Sequence, residues 1–520
     1  MKFSRAKNAS RNAFFGVILK VYQILIPFIM RTALVYFMGI QYLGLNSLFS
    51  SVLQVLNLAE LGVGSAMVYS MYKPIAEDDK NKICALMNMY RRYYRIIGLI
   101  IAVIGLGVTP FIPKLIKGSI PAELSIYILY FLELGATVFS YWLFAYRNCL
   151  FYAHQRDDVN SKINICVSTF MYLGQILVLI YVKNYYVYII TTLVATIIRN
   201  LLTAYLSKKQ FPEYVPRGAL SKEETKIINK RIRDLFTSKL GFVIVGSADT
   251  IVISAFLGLE VLAIYQNYYF IVSAIMGIMT VVYNSCTAGI GNSLITETKE
   301  KNFEDLKKMT FLACWIACFC STCFLVLFQP FMTVWMGTQR LLPFSIVICL
   351  AAYFFIYEVN QIMNIFKDAG GLWSADRFRP LVTALTNLGL NLIMVQFLGL
   401  YGVILSTVIS TLFVGMPWLF NNLFNELFKK EQFPILFKEI FLFVIAGIIV
   451  SSTTYFICSL IPFKGVIEVL SKLILCIIIA NSLLYFMFRK NEVFINVVML
   501  LDRITKGRLR LTRKICRLEQ

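Results

Sequence analysis

Phe37-Met38-Gly39-Ile40-Gln41-Tyr42-Leu43-Gly44-Leu45 ends one long apolar segment and begins the next. The pattern returns 219 residues later as Phe256-Leu257-Gly258-Leu259-Glu260-Val261-Leu262-Ala263-Ile264. A second echo has nearly the same spacing. Tyr186-Val187-Tyr188-Ile189-Ile190-Thr191-Thr192 is repeated 215 residues on as Tyr401-Gly402-Val403-Ile404-Leu405-Ser406-Thr407. Two echoes in one order at nearly one offset divide the chain into related halves. Internal hydropathy repeats of this kind mark secondary transporters.

Composition sets the class. The chain has 520 residues, 58% hydrophobic and only 15% charged. A soluble globule usually carries about 25% charged residues. Apolar runs of roughly 20 residues, enough to cross a bilayer, recur from end to end. The expectation is an all-α polytopic membrane protein of about fourteen transmembrane helices. The first apolar run, Phe14 to Phe37, is too long for a cleaved signal peptide.

The net charge of +22 raises nucleic acid as a partner, and its placement argues against one. Among the 50 Lys and Arg, Lys114, Lys117, Lys183, Arg340, Lys464 and Lys472 fall in one set of alternate loops and flanks. Lys20, Arg31 and Arg199 fall within spans. The rest crowd the other set of loops and the two tails. By the positive-inside rule both termini are cytoplasmic. A bacterial cytoplasmic (inner) membrane is the expected location.

The chain then divides as follows. Residues 1–206 form an N-terminal lobe of spans one to six, and 207–233 a polar cytoplasmic linker. Residues 234–430 form a C-terminal lobe of spans seven to twelve. Residues 431–490 hold spans thirteen and fourteen, which have no counterpart in the repeat. Residues 491–520 are a basic, partly amphipathic tail expected to lie on the anionic inner leaflet. The repeat maps span one onto seven, an even shift, so the halves share one orientation and a pseudo-two-fold axis along the membrane normal.

No phosphate loop G-x-x-x-x-G-K-[ST] is present, and the single His, His154, lies in a loop. The chain reads as a non-enzyme without ATPase chemistry, so energy is expected from an ion gradient. Cys314, Cys318, Cys320 and Cys323 include a C-x-x-C without a second pair or a His. They read as apolar fillers of a helix rather than a zinc site.

Ionisable groups within spans carry the functional reading, because each is costly without a partner or a wet cavity. Lys20 and Arg31 are eleven residues apart, about three turns, and share a face with Pro27. Two stacked cations suit an anion path. Glu60 is the expected counter-ion or proton carrier in span two, and Arg199, Glu133 and Glu358 lie in spans six, four and ten. Lys239 stands 219 residues after Lys20. These make Arg31, Lys20, Lys239, Arg199 and Glu60 the candidate substrate-binding set. Asp249 sits mid-span in Gly246-Ser247-Ala248-Asp249-Thr250, and span eleven offers Asn387 and Asn391 four residues apart, with Thr386 beside them. A carboxylate with amide and hydroxyl oxygens suits a hard coupling cation, Na⁺ or H⁺; no other cofactor is expected.

Several stretches together resemble the polysaccharide-transport branch of the multidrug/oligosaccharidyl-lipid/polysaccharide (MOP) exporter superfamily. They are Asn12-Ala13-Phe14-Phe15-Gly16, the Met38–Leu45 hairpin, Leu58-Ala59-Glu60-Leu61-Gly62-Val63-Gly64-Ser65-Ala66, Ala248-Asp249-Thr250-Ile251-Val252-Ile253 and Gly399-Leu400-Tyr401-Gly402-Val403. The resemblance implies two six-helix lobes about a central cavity, plus two C-terminal helices. It implies a flippase for undecaprenyl-diphosphate-linked oligosaccharide repeat units of O-antigen, capsule or exopolysaccharide, working by alternating access. Membrane lipids, a polysaccharide polymerase and chain-length machinery are the implied partners. The alternative is a multidrug-cation antiporter of the same superfamily, which would want acidic cavity residues without Lys20 and Arg31.

Overall fold

A computed structural model describes residues 5–118 and 120–504; of the side chains at 5–10, 13, 237–239, 242, 501, 503 and 504 nothing is described. Every regular element among the described residues is a helix. Eleven are long and apolar enough to cross a membrane, and thirteen if each of two bent pairs counts as one span. The remaining expected span, Asp234–Leu257, is the second half of a longer helix, whose described apolar part is Val243–Leu257.

The chain forms two compact units, Met1–Ala263 and Ile264–Gln520. The first begins with α1 (Arg5–Phe37), α2 (Ile40–Leu56), α3 (Val63–Ala76) and α4 (Lys80–Val108). It continues with α5 (Ile126–Trp142), α6 (Asn148–Ala153), α7 (Asp157–Leu177), α8 (Tyr185–Gln210) and α9 (Lys222–Leu257). Local chemistry starts these helices where the sequence turns polar. Asp79 caps α4 through the Lys82 amide, and Asn184 caps α8 through the Val187 amide. Ser221 and Glu224 form a capping box on α9.

The two echoed stretches make the same turn. Gly39 (φ 113°, ψ 166°) joins α1 to α2, and Gly258 (φ 95°, ψ 172°) joins α9 to α10 (Leu259–Thr296). Both φ values are open to Gly and costly for other residues. The stretches also touch. A Cβ on Gly44 would meet the Leu259 carbonyl oxygen at 2.3 Å, so the missing side chain lets α2 and the α9–α10 turn close on each other. The first turn of α10 belongs to this unit and the rest to the second.

The second unit adds α11 (Lys299–Met336), α12 (Phe344–Ala369), α13 (Arg379–Leu398), α14 (Leu400–Ser410) and α15 (Met416–Glu426). It ends with α16 (Phe433–Ser459), α17 (Val466–Phe488) and α18 (Glu492–Ile504). Its core is rich in aromatics, with Phe311, Phe443 and Phe488 packed at centroid distances of 4.8 Å and 4.3 Å. The tail differs from expectation. The apolar face of α18 (Val493, Phe494, Val497 and Val498) is buried in this core, and Phe494 stacks on Trp315 at 5.6 Å. Protein burial, rather than lipid, takes up that face; residues 505–520 lie outside the described ones.

Candidate functional site

In the first unit, polar side chains gather between α1, α5, α7 and α8. Arg31 and the hydroxyl of Tyr188 interact electrostatically, and Tyr188 in turn faces Glu133 and Tyr172. Tyr172 lies near Arg199, and its ring is 6.3 Å from that of Tyr22 on α1. Tyr22 shares a hydrogen bond of 2.9 Å with Thr169. Arg199 donates through Nη2 to Ser168 at 3.3 Å, and its Nε is buried without a partner among the described residues. Lys20 is half-buried on the same helix. The structure thus brings Arg31 and Arg199 onto one tract of tyrosines that also holds Glu133, and it shows no contact that joins Lys20 to this tract among the described residues.

The local sequence explains the tract. Tyr188, Thr192, Ala195 and Arg199 follow i, i+4, i+7, i+11, so they form one stripe of α8. Ser168 and Tyr172, four apart on α7, form the facing stripe. Gln175 ties the two helices by donating to Thr192 at 3.0 Å. The tyrosines were missed from sequence, although this spacing on α8 was legible. A tyrosine hydroxyl orients an arginine without neutralising it. The tract therefore keeps positive charge and donor capacity in a poorly hydrated setting, as binding a phosphate-type anion requires.

Glu60 lies at a break. α2 ends at Leu56, Asn57–Glu60 form a tight turn, and Gly62 (φ 87°) resets the chain before α3, at a 40° bend. A Cβ on Gly62 would lie 2.7 Å from Leu235 Cβ of α9. Glu60 accepts from Tyr94 at 2.5 Å and from Tyr141 at 2.9 Å, and Tyr90 donates to Tyr94 at 2.7 Å. Breaks of this kind survive in membranes only where protein or water satisfies the freed backbone. The carboxylate is held by tyrosines from α4 and α5. The side chain of Lys239 lies outside the described residues.

At the start of α7, Asp158 is fully buried and gathers Arg11 at 3.1 Å, Arg156 at 3.0 Å and Lys162 at 3.2 Å. Burial opposes its charge, but these cations hold the carboxyl below its usual range. Next to it His154 is buried, stacked 4.3 Å from Phe211, and Nδ1 lies 2.8 Å from the Leu150 carbonyl. Burial pushes this imidazole below its usual range.

In the second unit, Asn387 donates to Thr407 Oγ1 at 2.9 Å, Asn391 donates to Asn387 Oδ1 at 3.3 Å, and Ser406 donates to Asn391. The amides join α13 to α14. Asp249 lies in the first unit, half-buried on α9, and Thr386 is half-buried on α13. Beside α12, Glu358 is fully buried and accepts from Tyr283 at 2.7 Å, and its Oε1 has no partner among the described residues.

No family model matches the chain, and no curated protein matches it in sequence. Solved structures do. The inward closed conformation of the lipid II flippase MurJ is similar with a TM-score of 0.68 at 14% identity, over 92% of this chain and 99% of that one. An inward-facing multidrug resistance MATE family transporter of the MOP superfamily gives a TM-score of 0.60 at 17% identity, over 81% of this chain and 99% of that one. The chain has the fold of a lipid flippase and of multidrug transporters. A MOP superfamily transporter from Pyrococcus furiosus, described as having a binding pocket of reverse polarity, is similar at a TM-score of 0.51 and 16% identity, over 80% of this chain and 94% of that one. All three are transport proteins, and none is an enzyme.

Proposed function

We propose that this protein is a flippase that moves undecaprenyl-diphosphate-linked oligosaccharide repeat units across the bacterial cytoplasmic membrane for surface polysaccharide synthesis. The observation that carries the reading is the tract of Arg31 and Arg199 among Tyr22, Tyr172 and Tyr188, with Lys20 on the same helix as Arg31. A diphosphate-sugar head is repelled by hydrocarbon, whereas its polyprenyl tail stays in lipid. Arginine guanidinium groups can take the phosphate oxygens, and tyrosines can stack on sugar rings. The likeness in fold to a lipid II flippase supports the same class of cargo.

In this reading the lobes are 1–206 and 234–430, joined by the 207–233 linker, with both termini cytoplasmic and the 491–520 tail on that side. The protein works by alternating access, beside a polysaccharide polymerase and chain-length machinery. A Na⁺ or H⁺ gradient drives the cycle, and Asp249 carries the coupling charge in the first unit. The test is polymer export in cells with normal protein levels. Arg31→Ala is expected to lower export about tenfold or more, the worth of one charge-assisted hydrogen bond. Arg31→Lys keeps charge, loses the fork, and restores export in part. Full export by Arg31→Ala removes the tract from the path. Export that ignores Na⁺ and pH, or keeps its ion dependence in Asp249→Asn, removes Asp249 from coupling.

One observation favours the multidrug-cation antiporter. Glu60 accepts from two tyrosines and Glu358 from one, a chemistry that also suits an organic cation. Protection of the purified protein against thermal unfolding by a lipophilic organic cation, with none from a polyprenyl diphosphate, would favour that reading.

A further inference from the structure

Three thiols from three helices meet in the second unit. Cys323 comes from α11, Cys458 from the end of α16 and Cys476 from α17. Cys458 and Cys476 are buried together with Val326, and Cys323 packs against them. The Cys476 sulfur is in hydrogen-bonding contact with both of the others. All three are free thiols. The sequence showed a different grouping, Cys320-x-x-Cys323, which the helix splits, since Cys320 faces Glu358. A pocket of about 260 Å³ opens beside the cluster, lined by Cys458, Gln329, Tyr455, Glu468 and Lys472 among others. Lys472, one turn before Cys476, is within electrostatic reach of Cys458 and Cys476 while its ammonium pairs with Glu468 at 2.7 Å.

We propose that Cys323, Cys458 and Cys476 form a redox-sensitive thiol site in which Cys476 is the shared partner, closing a disulfide with Cys458 or, by exchange, with Cys323. The oxidant is a disulfide, either a small organic one or that of a thiol-oxidising protein. The pocket admits it to Cys458, whose thiolate attacks one sulfur and expels the other as a thiolate. Cys476 then attacks the Cys458 sulfur of the mixed disulfide and expels the second. One protein S–S bond forms and one reagent S–S bond is lost. The two protons of the protein thiols end on the two leaving thiols. Attack by Cys323 on Cys476 releases Cys458 and moves the bond to α11 without further oxidant.

The consequence is mechanical. α17 follows α16 through the 460–465 loop and packs on α11. A bond from Cys476 ties it to one of these neighbours deep in its length.

The test uses the purified full-length protein in detergent, treated with oxidised glutathione, blocked with iodoacetamide, digested without reductant and mapped by mass. The expected product is a linked peptide pair containing Cys476 with Cys458 or Cys323, lost on adding dithiothreitol. In Cys476→Ala the pair is absent, in Cys458→Ala, which lacks the thiol that meets the oxidant, no link forms, and in Cys323→Ala the link runs from Cys476 to Cys458. If all three cysteines are still alkylated by iodoacetamide after oxidant treatment, they are apolar fillers and the proposal falls. A link at this site that omits Cys476 overturns it equally.

Discussion

Gly44→Ala tests the contact between the two echoed stretches. The added Cβ would stand 2.3 Å from the Leu259 carbonyl oxygen and 3.0 Å from its carbonyl carbon and Cβ. An ordinary carbon-to-oxygen contact is about 3.3 Å or longer, so α2 and the α9–α10 turn must part locally by about 1 Å. The clashing atom is backbone, and no rotamer change relieves it. Overpacking of this kind costs about 1–3 kcal/mol. Alanine in place of glycine inside a helix returns up to about 1 kcal/mol, leaving a net loss of up to about 2 kcal/mol when that return is complete. Gly174→Ala on α7 is the control, because a Cβ there meets nothing within 4 Å. It keeps the propensity gain and lacks the clash. The assay is the thermal unfolding midpoint of each variant purified in the same detergent. Gly44→Ala should melt below wild type and Gly174→Ala at or above it. A Gly44→Ala midpoint equal to that of Gly174→Ala would refute the close approach.

Asp158→Asn should destabilise the first unit by about 1–3 kcal/mol, because it strands three cations around a buried amide; the same melting assay checks it. The discount from a fully buried pair follows from partners that are 28–48% exposed. Its pH signature follows from a depressed carboxyl: the contribution is complete above the unfolded range near 4 and is lost as pH falls through the lower folded value. His154 acts in a higher window. A neutral buried imidazole with a depressed pKa means the unfolded chain binds the proton more readily, so stability should fall as pH drops below about 6.5. His154→Phe should flatten the midpoint-versus-pH curve between pH 7 and 5, and an unchanged curve would remove His154 as its source.

The sequence by itself determined the class and the plan of this protein. Apolar runs at bilayer length and low charge dictated spanning helices, since backbone groups in lipid must be satisfied within the segment. Gly39 and Gly258 were legible as equivalent turns because only glycine adopts their φ at no cost. Arg31, Lys20 and Arg199 were legible because a cation within an apolar run is expensive wherever it points. Tertiary structure alone decided which groups meet. Tyr22, Tyr172 and Tyr188 are ordinary membrane aromatics in one dimension, and become the lining of a cationic tract only when α1, α7 and α8 pack together. Asn387 and Asn391 read as ion ligands in the sequence, and their bonds to Thr407 and each other appear only once α14 lies against α13. Cys323, Cys458 and Cys476 are separated by 135 and 18 residues, and no local pattern links them. Hydropathy fixes where a helix lies relative to the membrane, whereas the packing of side chains between helices fixes which faces turn toward one another.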